Sequence, residues 1–388
     1  MLLSNVSDHV SSTFAYITEA NIPAASNTRV QSQIGQIFAD IRANYRAYIL
    51  PFIIIFGVLG NFAILFVFFT HSGGVSRTTR IYYLLLATTD ILSLLTYNLV
   101  QFLRFGMRKI TNYGFYLNFD QGTSVFCSGY EYVFYLSEAL SNYYYLMFSL
   151  ERLFAIRNPI LSKKFFTKSR SVISIVTLFG IHAIAYITVF WTYAVVNNSC
   201  KRLQTNEFLY SYLTGFILPN SHFIPTVINI VINIWIVKSI QDASRKRLEI
   251  AGGGGEGAVK KKEVAITITI AIVQIIHFLI YFPSGFLWLL RTIYNVTNWD
   301  IKYPESYDVV LDWSNLSLAL TSLGHCSNFF IYITRMSGFR NRLLHPCIYQ
   351  DYAFSSKFST VSRIEPKPLW KSFEHWYLIL LSPQFNML

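Results

Sequence analysis

Seven apolar runs, each long enough to cross a bilayer as a helix, recur along the 388-residue chain, beginning at Ile49, Ile81, Tyr130, Val172, Leu213, Val264 and Val309. A helix rises 1.5 Å per residue, so about 20 apolar residues traverse the roughly 30 Å of hydrocarbon. Only 13% of the residues are charged while 53% are hydrophobic, too little charge to clothe a water-soluble globule. Membrane barrels are built from segments of about 10 residues with strict apolar alternation, and the sequence has no such pattern. The runs predict an all-α membrane protein, a bundle of seven transmembrane helices over residues 49–335 behind an N-terminal tail, residues 1–48. The first run comes too late and is too long for a cleavable signal sequence, so the first span is expected to anchor the chain itself.

An odd number of spans places the termini on opposite sides, and Lys and Arg in short loops set the direction. The loops after spans one, three and five carry Arg77, Arg80, Arg157, Lys163, Lys164, Lys168, Arg170, Arg245, Lys246, Arg247 and Lys260 to Lys262. The even loops are poorer, with Arg104, Arg108, Lys109, Lys201, Arg202 and Lys302. The expected topology therefore has the N-terminus outside and the C-terminus in the cytoplasm. Sequons at Asn5, Asn197 and Asn295 fall in segments placed outside and are candidate glycosylation sites, whereas Asn315 lies within span seven. Of four cysteines, Cys127 and Cys200 face the oxidising compartment. A bond between them would pin the loop after span four over the mouth of the bundle; two free external thiols are the alternative. Cys347 follows a basic cytoplasmic stretch and is a candidate for palmitoylation, with an unmodified thiol the plain alternative.

Short motifs then fall on particular spans. Gly60-Asn61 lies in span one, Leu86-Ala87-Thr88-Thr89-Asp90 in span two, and Glu151-Arg152-Leu153 at the end of span three, with Cys127 25 residues before Arg152. Pro225 and Pro283 interrupt spans five and six, and Asn328-Phe-Phe-Ile-Tyr332 closes span seven, followed by Phe339-Arg340. With these residues the chain, from about Ile49 to Leu344, resembles the rhodopsin-like (class A) family of G-protein-coupled receptors. The resemblance implies a Cys127–Cys200 disulfide, a short amphipathic eighth helix at residues 336–346 and a cytoplasmic tail at residues 347–388. It implies an activation switch at Asp90, Ser141, Glu151, Arg152, Glu263, Pro283, His325, Asn328 and Tyr332. It also implies a sodium ion, the sole cofactor expected, shared by Asp90, Ser141 and Asn328. His325, one turn before Asn328, is placed to bond Asp90 and leaves little reason for that ion.

Physical chemistry weighs these roles. An ionised side chain in mid-membrane costs roughly 2.5 to 3.5 kcal/mol even on lenient scales, so Asp90 is a functional candidate, with a satisfied packing acid as the plain alternative. Arg152 and Glu263 form a resting lock by analogy, unless Glu263 merely offsets Lys260 to Lys262. A half-exposed pair contributes only about 0 to 1 kcal/mol, against the roughly 5.5 kcal/mol needed to reverse a 1:99 equilibrium. Pro283 is expected to hinge span six. Tyr281 stands where the family has Trp, Asn233 where span five has Tyr, and Phe329 where span seven has Pro, so span seven is expected to be straighter.

For the ligand, Glu131, Phe134, Tyr135 and Glu138 form a stripe on span three at helical spacing, with Tyr281 and Ser322 as further candidate contacts. Two acids facing an aromatic cavity point to a cationic group on the ligand; Glu131 facing external water is the alternative. Phe134 replaces the Asp of amine receptors and Ser322 the Lys of opsins, leaving a neuropeptide or other basic peptide as the expected agonist and a small chemosensory molecule as the runner-up. A transporter is disfavoured because no span has a second copy, and an enzyme because no catalytic pair lies at matched depth. The expected partners are a heterotrimeric G protein, arrestin, receptor kinases acting on Ser355 to Ser362, and the lipid of the plasma membrane, with no nucleic acid.

Overall fold

Helix α1 begins at Gln33, well before the apolar run at Ile49, and continues to Thr70. The computed structural model describes residues 33–70, 75–112, 123–196, 200–203, 212–250 and 257–344, with Gly114 and Leu209. The last part of the expected N-terminal tail is thus helical. It reads as tail because QIGQIFADIRAN mixes Asp and Arg with isoleucines, yet that mixture suits a helix lying on a neighbour. Phe38 stacks on Trp313, 5.9 Å between ring centres, and Arg42 reaches Asp312 at 3.5 Å.

Helix α2 (Arg77–Ile110) likewise outruns its apolar segment. It is followed by α3 (Ser124–Arg157), α4 (Lys168–Thr192), α5 (Leu218–Ile250), α6 (Gly257–Val296) and α7 (Pro304–Arg335). Ser76, Thr123 and Thr167 cap α2, α3 and α4, each hydroxyl accepting from a backbone N–H of the first turn. Among the described residues six helices are long and apolar enough to span a membrane, and α3 is the exception. Its polarity follows from its place: it packs against α2, α4, α5 and α6, and 19 of its 34 residues are buried, so it needs no broad lipid-facing stripe. Helix α1 instead turns Phe52, Ile55, Phe56, Leu59, Phe62, Phe66 and Phe69 outward, a face that hydrocarbon but not water would tolerate.

The segment after α4 forms a hairpin, β1 (Tyr193–Val195) antiparallel to β2 (Cys200–Arg202), with Val195 opposite Cys200. The Cys127–Cys200 disulfide joins this hairpin to the first turn of α3, Cα atoms 5.5 Å apart. Ser128 Oγ supports it by donating to the Tyr193 carbonyl at 2.8 Å.

Two irregularities shape the interior. First, π-turns interrupt α1 at Tyr45–Ile49 and α2 at Leu94–Asn98 and Phe102–Gly106. Second, a single-residue turn at Thr321 divides α7 into Pro304–Leu320 and Ser322–Arg335. Thr321 itself keeps a right-handed helical backbone, with φ -60° and ψ -24°. Helix runs unbroken through Phe329, which rests on Gly60 of α1. The described residues through Ser337 form one compact unit. Beyond it, α8 (Ser337–Leu344) places Phe339 and Leu343 one turn apart, with Arg340 and Arg342 off that line. Asn5, Asn197, Cys347, the phosphorylation cluster and the side chain of Glu263 lie outside the described residues.

Candidate functional site

Just after Thr321 in α7, His325, Asn328 and Tyr332 recur at intervals of three and four residues and so share one face. Glu138, Ser141 and Tyr145 repeat that spacing on α3, and Asp90 and Ser93 share a face of α2. Packing brings the three faces together around the imidazole of His325, which is 1% exposed. Nδ1 lies 2.8 Å from Asp90 Oδ1, and Nε2 lies 2.6 Å from Glu138 Oε1. Asn328 Nδ2 donates to the other Asp90 oxygen at 2.7 Å, and Tyr145 donates to Asn328 Oδ1 at 2.7 Å. Ser93 donates to Glu138 at 2.6 Å, and Asn61 of α1 donates to the His325 carbonyl at 2.8 Å. From α6 the Tyr281 hydroxyl stands 3.0 Å from His325 Nε2. Gly324 makes this approach fit, since a Cβ there would fall 2.5 Å from Tyr281 Cε2. The cluster thus ties α1, α2, α3, α6 and α7 together.

Its electrostatics are those of a bridged carboxylate pair. Two acids buried far from water need positive charge or protons, and the ring between them faces an oxygen with each nitrogen. Both contacts are satisfied together when the ring carries both protons, so the imidazolium supplies the charge that a sodium ion would bring. The residues present do not fit that ion. Each Asp90 oxygen already accepts an N–H, from His325 and from Asn328, and a cation would have to displace the imidazolium. Ser141 Oγ and Glu138 Oε2 are buried without a hydrogen-bond partner.

At the opposite end of α3 from the disulfide, Arg152 is buried against Glu151 at 3.0 Å and donates to the Thr79 hydroxyl. Thr78 donates to the same Glu151 oxygen at 2.6 Å, so adjacent threonines of the first turn of α2 hold both members of the motif. Nearby, Gln274 of α6 donates to Ser149, which donates to Asn229 of α5 at 2.8 Å. Tyr332 packs edge-on against Tyr83, ring centres 4.9 Å apart. Pro283 lies inside α6, which continues as helix through it.

At the disulfide end a cavity of about 840 Å³ opens between α1, α2, α3, α6 and the hairpin. Of the six candidate ligand residues it is lined by Glu131 and Tyr135. Phe134 is buried against Tyr97, ring centres 4.0 Å apart and nearly parallel. Glu138 and Tyr281 belong to the His325 cluster, and Ser322 is paired with the Tyr45 hydroxyl at 2.6 Å. Glu131 is 8% exposed, so it does not face open water. The lining also includes Arg42, Arg46, Arg104, Arg108, Lys109 and Arg291, which sequence reasoning assigned to the tail, a loop and a span end. No sequence signal marks the π-turns that carry Arg46 and Arg104. The length of α2 was the available clue, because Arg104 and Arg108 continue its helical spacing.

The family described as 7 transmembrane receptor (rhodopsin family) matches residues 60–349. No curated protein matches the sequence. The match takes in Asn61, Asp90, Glu138, Arg152, Pro283, His325 and Asn328, and with it this chain belongs to the rhodopsin family of seven-transmembrane receptors.

Proposed function

We propose that the chain is a plasma-membrane receptor whose disulfide end faces outward, which takes its ligand in the 840 Å³ cavity and activates a heterotrimeric G protein at the Arg152 end. The observation that carries the reading is the attachment of α6 to the His325 cluster through Tyr281. A ligand that alters the packing of α3 or α6 above this cluster bears on the tie between Tyr281 and His325, which together with that of Gln274 to Ser149 holds α6 to the interior. Two residues farther toward the disulfide end, Pro283 removes a backbone bond and lets the cytoplasmic half of α6 swing outward. Glu151, Arg152, Thr78 and Thr79 keep the end of α3 closed against α2 in the resting state. Arrestin and receptor kinases follow as partners of the activated state.

A peptide end or a compact organic molecule suits a cavity of this size. The basic ligand expected from the two acids is not retained: Glu138 is engaged by His325, and Glu131 shares the cavity with six cationic residues. The test is guanine-nucleotide exchange on a panel of Gα subunits by the full chain in lipid nanodiscs, beside conductance across a planar bilayer. Basal exchange that rises in Thr79→Val and disappears in Arg152→Ala supports the receptor reading. A conductance without exchange would replace it with a channel.

A further inference from the structure

We infer that the cavity at the disulfide end binds a ligand through an anionic group, a carboxylate or a phosphate or sulfate ester, held by Arg46 and Arg104 and bridged to Arg291. The inference rests on the receptor reading for its biological sense, though its chemistry stands on the cavity alone.

Six cationic residues line this space against two carboxylates, Asp40 and Glu131. Arg42 is paired with Asp312 at 3.5 Å. The arrangement is built rather than incidental. The π-turn of α1 holds Arg46 and the second π-turn of α2 holds Arg104, and such turns are rare and gather at functional sites. Both guanidinium groups lie on one ring, Phe105, at 4.9 and 4.7 Å from its centre. Gly106 brings the two helices that close, since a Cβ there would fall 2.4 Å from the Arg46 carbonyl oxygen. The Nε of Arg46 is buried and has no hydrogen-bond partner.

A donor stranded in this way, beside a second guanidinium on the same ring, is stabilised by an acceptor that carries negative charge. Arginine presents its N–H groups as a flat fork, which matches the paired oxygens of a carboxylate or phosphate. Arg291, stacked on Trp288 at 4.9 Å, reaches the same cavity from α6. An anion held between them would therefore join α1 and α2 to the helix that moves. The bound charge would act on the switch directly.

The test uses the full chain in nanodiscs of zwitterionic lipid and follows its thermal unfolding midpoint with citrate, with pyrophosphate and, as a cationic control, with spermine. Citrate or pyrophosphate should raise the midpoint in a saturable way and spermine should not; which anion does so separates a carboxylate from a phosphate ligand. Arg46→Gln and Arg291→Gln should each weaken the apparent affinity by about 10- to 100-fold, the loss expected for a charge-assisted hydrogen bond. Arg291→Gln, outside the α1–α2 contact, keeps the test informative if Arg46→Gln folds poorly. Stabilisation by spermine, no effect of either anion, or anion binding unchanged in Arg291→Gln overturns the inference. Nucleotide exchange in the same preparation separates the two readings: exchange without anion binding sinks this one alone, and anion binding without exchange leaves it standing while the receptor reading falls.

Discussion

Replacing His325 with leucine would remove the charge between two buried carboxylates and leave the surrounding helices otherwise intact. The imidazole makes contacts of 2.8 Å to Asp90 and 2.6 Å to Glu138, and the three side chains are each at most 2% exposed. Charge-assisted hydrogen bonds contribute about 1.5 to 3 kcal/mol each, and removing one member of a buried ionic group costs about 3 to 5 kcal/mol because the remaining charge is stranded. One carboxyl can take up a proton in compensation, which caps the loss near that range. For a domain of a few hundred residues this lowers the thermal midpoint by on the order of 10 °C. Unfolding in nanodiscs followed by tryptophan fluorescence reads it. The same leucine combined with Asp90→Asn and Glu138→Gln should recover most of the loss, since neutral amides need no counter-charge. If the single variant unfolds within about 2 °C of wild type, well inside the shift expected for a stranded charge, or if the triple variant is no better than the single one, the imidazole does not neutralise these acids.

Other expectations are narrower. Gly324→Ala places a Cβ against the Tyr281 ring and should cost about 1 to 3 kcal/mol, with Tyr281→Leu in the same chain relieving it; equal stability of Gly324→Ala and wild type would refute the close approach. Cys200→Ser opens a bridge across a separation of 73 residues and should cost about 2 to 5 kcal/mol, which dithiothreitol should reproduce in wild type but not in the variant. Arg42→Ala should change stability by no more than about 1 kcal/mol, because the pair with Asp312 is partly solvated; a larger effect in unfolding experiments would mean that α1 depends on that pair for its first turns.

The spans were legible because hydrocarbon thickness sets a length that any apolar run either meets or does not. What the run length hides is where a helix stops being lipid-facing. Gln33 to Tyr48 and Gln101 to Ile110 are helical extensions carrying charge, and hydropathy alone reads them as tail and loop. The His325–Asp90–Asn328 meeting follows from spacing on two helices and could be anticipated. Glu138 could not be placed in it, because its neighbours Glu131 and Tyr135 line the cavity while Glu138, one turn farther, points at the imidazole. Phe329 gave a sound reason for helix continuity at its own position, and the single-residue turn at Thr321 has no proline or glycine at that position to announce it. The cationic cavity is drawn from positions as far apart as 46, 104 and 291, and its two central arginines owe their aim to π-turns that no residue pattern specifies.

The coupling of the cluster to α6 is tested most directly by the distance between spin labels at Phe154→Cys on α3 and Ile268→Cys on α6, both exposed sites near the Arg152 end, with Cys347 replaced by serine. Pulsed electron resonance on the nanodisc sample should show one short distance alone and a second, longer one when nucleotide-free G protein is added, with the longer one already present without G protein in Tyr281→Phe. A single unchanged distance in all three samples would contradict the account.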